Sequence, residues 1–314
     1  MGTEDGNLDK SSIKKEEVIV RGQIGIVGVQ MDLGSIRKGV DMGPLAIRHA
    51  GLISRLRESG YEVQDRGDIV PLVGGGEGNP KLRFAETINE ANFRLYQVIY
   101  SFYKNLQFPI ILGGDHSIAA GSVAASVDYY KNIGIIWIDA HADFNDEEIT
   151  PSGNLHGMPL SAVCGLGPES MVSFSKYRVN PKNVVILGAR SIDPLERIKL
   201  KENGVSIFSI SDIHTIGIRN VMEKAIQIAE LNTVGIHLSF DMDALDPREA
   251  PGVGTPVLNG LSQREAFTAC EMIYKAGKLI AMDLVETNPL LDKRNMTGIL
   301  ASELIMSCLG STDY

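Results

Sequence analysis

The chain has 314 residues, with 39 acidic side chains against 30 lysines and arginines, a formal net charge of −9. That balance excludes a general nucleic-acid binder, which needs a basic face to displace counterions. Hydrophobic residues are 44% and charged ones 22%, the balance of an ordinary globular protein. No apolar run approaches the roughly 20 residues of a spanning helix, so no membrane role is expected.

Residues 1–20 carry many charges and no apolar pattern, and are expected to form a mobile tail. The opening MGTEDGNLDKSS has no apolar signal core, so nothing in it points to secretion. The β-branched run QIGIVGV at Gln23–Val29 reads as a strand. Pro44 opens a helical pattern reaching Arg57, and a short strand follows at 62–64. Residues 73–80 (VGGGEGNP) are flexible loop by composition, and 81–105 form a long amphipathic helix. From there strand-like and helical patterns alternate. Apolar runs occur at 109–112, 133–138, 184–187, 205–208, 236–240 and 279–285. Helical patterns lie at 119–130, 194–202, 221–231, 262–276 and 297–309.

Continuous apolar strands separated by helices mean a parallel sheet buried on both faces. About eight strands could close into a barrel or stay open, and the pattern alone leaves both. No repeat or linker interrupts the chain after the tail, so 21–314 reads as one domain. Cys164, Cys270 and Cys308 are widely spaced in apolar, helical-looking stretches. They are expected to be reduced packing residues of a cytoplasmic protein.

The polar residues that carry chemistry follow the strands, where ligands of parallel α/β folds bind. The run at 109–112 leads into GGDHS, with His116; the run at 133–138 into DAHAD, with Asp139, His141 and Asp143. The run at 236–240 leads into Asp241-Met242-Asp243, and the last into Glu286. Alternate residues of an extended segment point the same way, so each set converges. Four carboxylates and two imidazoles without thiolate suit Mn²⁺ or a similar divalent ion. Six ligands fit two ions with bridging carboxylates, the arrangement that activates a bridging water. Two cations balance the four carboxylates, and a cationic substrate would balance a bridging hydroxide. A lone Asp-x-Asp is usually a turn; three clusters after three strands are not. His49, His214 and His237 lie outside these clusters and read as structural, and Trp137 as packing.

Those motifs, with SGNLHG at 152–157, SFDMDALDP at 239–247, GTP at 254–256, GVDMGPLAIR at 39–48 and VETNP at 285–289, resemble the arginase–agmatinase family of ureohydrolases. The likeness runs from about residue 24 to 309, and ARSIDPLE at 189–196 resembles bacterial arginases most. It implies a three-layer α/β/α fold with an open eight-stranded parallel sheet, two Mn²⁺ per subunit and a homo-oligomer, trimer or hexamer. It implies hydrolysis of L-arginine to L-ornithine and urea by a metal-bridging hydroxide. Agmatinase, guanidinobutyrase or formimidoylglutamase activity on the same scaffold is the alternative, then a catalytically silent regulatory relative; the complete ligand set argues against the last.

By the same resemblance, His116, Asp139, Asp143 and Asp241 hold one Mn²⁺, and Asp139, His141, Asp241 and Asp243 the other. His156 transfers protons, Asp143 carries a proton to the leaving amine, and Glu286 receives the guanidinium. Asn145, Thr150 and Ser152 would recognise the α-carboxylate, Asp193 and Glu196 the α-amino group, and Thr255 would line the pocket. The run Asp146-Glu147-Glu148 departs from the family pattern. These acids either repel the substrate carboxylate or point to solvent.

Overall fold

The computed structural model describes residues 22–72 and 76–311. The tail expected over 1–20, and residues 73–75 of the expected loop, lie outside them. Eight strands make one sheet: β1 (Gln23–Val29), β2 (Glu62–Ile69), β3 (Phe108–Leu112), β4 (Gly134–Ile138), β5 (Val184–Ala189), β6 (Ser206–Ser209), β7 (Ile236–Asp241) and β8 (Leu279–Val285). Their spatial order is β2-β1-β3-β8-β7-β4-β5-β6, and every pairing is parallel. The sheet is open, with strands β2 and β6 at its edges.

That order puts the four motif-bearing strands, β3, β8, β7 and β4, side by side in the middle. The chain reaches β4 by skipping two positions, runs outward to β6, then returns to fill the gap with β7 and β8. A reversal of this kind opens a crevice at the strands' carboxyl ends.

Ten helices cover the sheet among the described residues: α1 (Gly43–His49), α2 (Leu52–Glu58), α3 (Ala85–Lys104), α4 (Ala119–Tyr130), α5 (Pro159–Val163), α6 (Pro194–Asn203), α7 (Ile210–Ile216), α8 (Ile218–Glu230), α9 (Gln263–Ala276) and α10 (Met296–Cys308). Strand alternation feeds two cores. Ile136 and Ile138 pack with α8, α9 and α10; Ile135 and Trp137 pack with α3, α4 and α5. The period of two therefore explains why both faces read as apolar. All three cysteines are buried and free. No helix among the described residues is long and apolar enough to cross a membrane.

The differences from the sequence pattern have local causes. The helix read over 44–57 breaks in two because Gly51 takes φ 87°. The long helix starts at Ala85, since Leu82–Arg83 pairs with Gly78–Asn79 in a small hairpin. The short helix α7 went unread, although Ser209 and Asp212 form its reciprocal capping box.

Candidate metal centre

Each side chain of the acid–imidazole cluster lies at or after a strand's carboxyl end. Beyond β3, a Cβ on Gly114 would stand 2.6 Å from the Val29 carbonyl oxygen and 2.7 Å from that of Met31. Only glycine lets the chain pass there. Asp115 then caps a short turn by accepting the Ser117 N–H at 3.0 Å, and holds Gly34 N–H at 2.7 Å. That turn aims His116 across the sheet.

The His116 Nδ1 lies 3.1 Å from Asp139 Oδ2, 3.1 Å from Asp143 Oδ2 and 3.2 Å from Asp241 Oδ2. His141 Nδ1 lies 3.4 Å from Asp139 Oδ1 and 3.1 Å from Asp243 Oδ2. Asp139 thus turns one oxygen to each imidazole. His116, Asp139 and Asp143 form one group able to hold a cation, and Asp139, His141 and Asp243 a second. Asp241 reaches the first group with Oδ2, while its Oδ1 accepts the Asp243 N–H at 2.7 Å.

The supporting hydrogen bonds decide the tautomer of His116. Ser239 Oγ donates to Asp283 Oδ2 at 3.2 Å, so it accepts from His116 Nε2–H at 2.9 Å. Nδ1 is then the lone-pair nitrogen, as a metal ligand must be. Although three carboxylate oxygens surround it, this buried Nδ1 makes no aligned hydrogen bond. An orphaned lone pair among carboxylates, with no thiolate nearby, fits a hard or borderline divalent cation. Asp139 is fixed by Trp137 Nε1–H at 2.9 Å and its own loop's His141 N–H at 2.7 Å. Thr255 donates to Asp243 Oδ2 at 2.8 Å.

The electrostatics are those of a site built around added positive charge. Burial, then Asp139, pushes Asp143 up to about 6; burial and Asp243 push Asp241 well above the usual carboxylate range. Burial alone would raise Asp139 too, but protonated His116 and His141 hold it well below that range, a role that a bound cation would take over from the neutral imidazoles. Divalent cations would relieve this crowding.

Beside the cluster lies a cleft of about 170 Å³, the room of roughly five or six waters and the right scale for an amino acid. Asp143, His141 and Asp241 of the cluster line it, together with His156, Asn145, Thr150, Ser152, Asp193, Glu196 and Thr255. Burial pulls His156 down, but Glu286 at 3.2 Å from its Nδ1 overrides this and lifts it to about 9. Glu286 itself is 1% exposed and outside the cleft lining. Its Oε1 accepts the His116 N–H at 3.0 Å, while its Oε2 has no partner.

Glu196 is spent on structure: Oε1 accepts the Phe144 N–H at 2.7 Å and Oε2 the Asp193 N–H at 3.2 Å. Asp193, its partner in the capping box that opens α6, lines the cleft with one oxygen on the Asn145 amide at 3.1 Å. Glu147 and Glu148 are exposed, the solvent-facing outcome for those acids, and Asp146 pairs with Lys199.

His49 and His214 are exposed and belong to neither cation-holding group. His237 is buried outside the ligand set, but it supports that set indirectly by donating from Nε2 to Asp283 at 3.0 Å. Sequence reading missed Asp283, Ser239, Asp115 and Arg190. An acid inside the apolar strand LIAMDLV was the available signal for Asp283. Arg190 clamps the loop after β7, donating to the carbonyls of Asp243, Ala244, Leu245 and Val257.

The sequence model of the Arginase family matches residues 22–310. The arginase of Bacillus subtilis strain 168 is 45% identical over 289 residues, covering 91% of this chain and 97% of that protein. The solved arginase of Bacillus caldovelox has a TM-score of 0.89 at 42% identity, over 93% of this chain and 99% of that one. The Entamoeba histolytica arginase, solved in complex with L-ornithine, has a TM-score of 0.87 at 32% identity, over 92% and 99%.

Proposed function

The chain belongs to the arginase family, and from that premise we propose that it is an arginase, hydrolysing L-arginine to L-ornithine and urea. One observation carries the reading. Three members of the acid–imidazole cluster, His141, Asp143 and Asp241, line a cleft that also offers a carboxylate, Asp193, and the hydroxyl and amide groups of Asn145, Thr150 and Ser152. Those groups complement an α-amino acid whose side chain points at the cluster.

We assign two Mn²⁺ per subunit, one to His116, Asp139, Asp143 and Asp241, the other to Asp139, His141, Asp241 and Asp243. When bound, such cations supply water acidified enough to act as a nucleophile at neutral pH. The side chains do the remaining work. Asp143 belongs to both the cluster and the cleft, so its carboxylate can carry a proton to the leaving amine. His156, held charged near neutrality by Glu286, exchanges protons in the lining of the same cleft. Glu286 accepts the guanidinium, Thr255 keeps Asp243 in place, and Glu196 fixes Asp193 and Phe144.

With Mn²⁺ supplied, urea release from L-arginine should exceed that from agmatine by at least ~10²-fold in kcat/KM. Urea from agmatine or guanidinobutyrate but not arginine, or turnover of formiminoglutamate, would reassign the enzyme within the family. No turnover of any of these with two metals bound would mark a silent relative.

A second expected outcome concerns His156. His156→Asn should keep its metal and lose roughly 10²–10⁴-fold in kcat; wild-type turnover would dismiss its role. The folded value near 9 lies above the free value of about 6.5. The stability from the His156–Glu286 pair is therefore whole below about 6.5 and lost as pH rises through 9. The variant should flatten that part of the stability profile.

We further propose a cytoplasmic homo-oligomer, a trimer or hexamer. Three buried free thiols suit a reducing compartment. Leu290, Leu291, Met296 and Ile299 leave apolar surface exposed in one segment, the kind that subunits cover.

A further inference from the structure

The acidic run beside the cleft has one member that does not face solvent freely. Asp146 Oδ2 lies 2.5 Å from Lys199 Nζ, and both side chains are largely buried, 18% and 15% exposed. Lys199 also sits 5.5 Å over the ring of Phe144. The other oxygen of Asp146 accepts the N–H groups of Glu148 at 2.9 Å and Ile149 at 3.0 Å, and its carbonyl accepts the Thr150 N–H at 3.0 Å. Asp146 therefore shapes the turn between Asn145 and Thr150 and ties that turn to α6.

The tie is one of three between this loop and residues 193–199. Phe144 N–H meets Glu196, the Asn145 amide meets Asp193, and Asp146 meets Lys199. Three consecutive loop residues thus engage positions 193, 196 and 199, spaced three apart along the start of α6 and so on one face. The loop carries the groups that complement an α-carboxylate, and the helix start carries the one that complements an α-ammonium. Their separation is set by these ties.

We propose that the Asp146–Lys199 pair is a positioning element for α-amino-acid recognition. It fixes the carboxylate-binding loop against the ammonium-binding helix start, and it draws the Asp146 charge away from the path of the substrate's carboxylate. The proposal rests on the arginine-hydrolysing reading above. Lys199 reaches no substrate atom; it acts through the loop.

The test is a double-mutant cycle with arginine and agmatine as paired substrates. Lys199→Met leaves Asp146 charged and without its cation, held only by the N–H groups of its own turn. It should raise KM for arginine about tenfold while kcat stays within about twofold, the pattern of lost uniform binding. It should weaken L-ornithine binding, measured by calorimetry, by a similar factor. Agmatine, which has no α-carboxylate, should keep its kcat/KM. Lys199→Arg should restore arginine affinity. Asp146→Asn in the Lys199→Met background should recover the repulsive part of the loss, because the uncompensated charge is gone and the turn-capping oxygen remains. Lys201→Met, at an exposed lysine of the same helix, serves as the control and should leave all these values alone.

An unchanged KM for arginine and an unchanged arginine-to-agmatine ratio in Lys199→Met would overturn the proposal. So would an equal loss for both substrates, which would mean a general structural role. If Lys199→Met does not fold, Asp146→Asn alone must shift the arginine KM without shifting agmatine, or the proposal falls. A wild-type enzyme preferring agmatine would instead overturn the arginine reading beneath it.

Discussion

Asp139→Asn should strip both cations and abolish activity together. Asp139 is fully buried and turns one oxygen toward His116 and the other toward His141, and it is the residue common to both cation-holding groups. An amide keeps the shape but supplies only one oxygen. It also meets two donors, Trp137 Nε1–H on one side and His141 N–H on the other, so one of them faces an NH₂ group. Leaving a buried donor unmatched costs about 1–3 kcal/mol of stability. Turnover should fall by at least ~10³-fold, since the activated water is lost with the metal. Metal analysis of the dialysed protein should find less than one ion per subunit. Asp243→Asn should spare the group of His116, Asp139 and Asp143 and so keep about one ion. Two ions retained in Asp139→Asn would refute the shared-ligand assignment.

Why the acid–imidazole cluster is legible in the sequence, and its supports are not, is a matter of range. Asp139, His141 and Asp143 sit at alternate positions just after an apolar strand, so one backbone rule makes them converge. The convergence of His116 with them needed no rule about distance, because the carboxyl ends of a parallel sheet all meet at one edge. The open sheet was not legible from periodicity, which is identical for a barrel; the likeness of motifs decided it. Asp283 shows the opposite case. Its carboxylate Oδ2 takes Ser122 at 2.7 Å, His237 at 3.0 Å and Ser239 at 3.2 Å. Those three partners come from α4 and β7 and meet it only because β8 enters the sheet last, between β3 and β7. No local pattern encodes that neighbourhood. Glu196 is a third kind of case. Its place in the motif marked it for the substrate, yet both its oxygens cap backbone N–H groups, a use that sequence spacing of the same motif also permits as a capping box.

Glu286→Gln should leave the metal in place and remove guanidinium recognition. Glu286 follows β8 with φ 63°, a left-handed conformation that costs a non-glycine residue energy and persists where surroundings impose it. The consequence is a buried carboxylate whose Oε1 is shared by His116 N–H and His156 Nδ1, while Oε2 stays without a partner. A buried charged oxygen without a donor is unfavourable until a ligand supplies one. Gly254 stands beside it: a Cβ there would lie 3.1 Å from Oε2, so its absence keeps space next to the free oxygen. A planar guanidinium brings paired N–H donors and one positive charge, matching what the oxygen lacks. It also competes for the carboxylate with His156, itself a planar cation, which lines the cleft while Glu286 does not. Glutamine keeps the size but replaces the charge and turns an NH₂ toward donors. The loss in kcat/KM should reach roughly 10³–10⁴-fold, the scale of a site whose charged hydrogen-bond partner is removed. The same substitution should let His156 fall back from about 9, because Glu286 is what lifts it. Two ions per subunit together with near-normal kcat/KM would show that the guanidinium is held elsewhere. Loss of the ions as well would show that Glu286 acts first on His116, through the N–H it accepts, and only through it on the substrate.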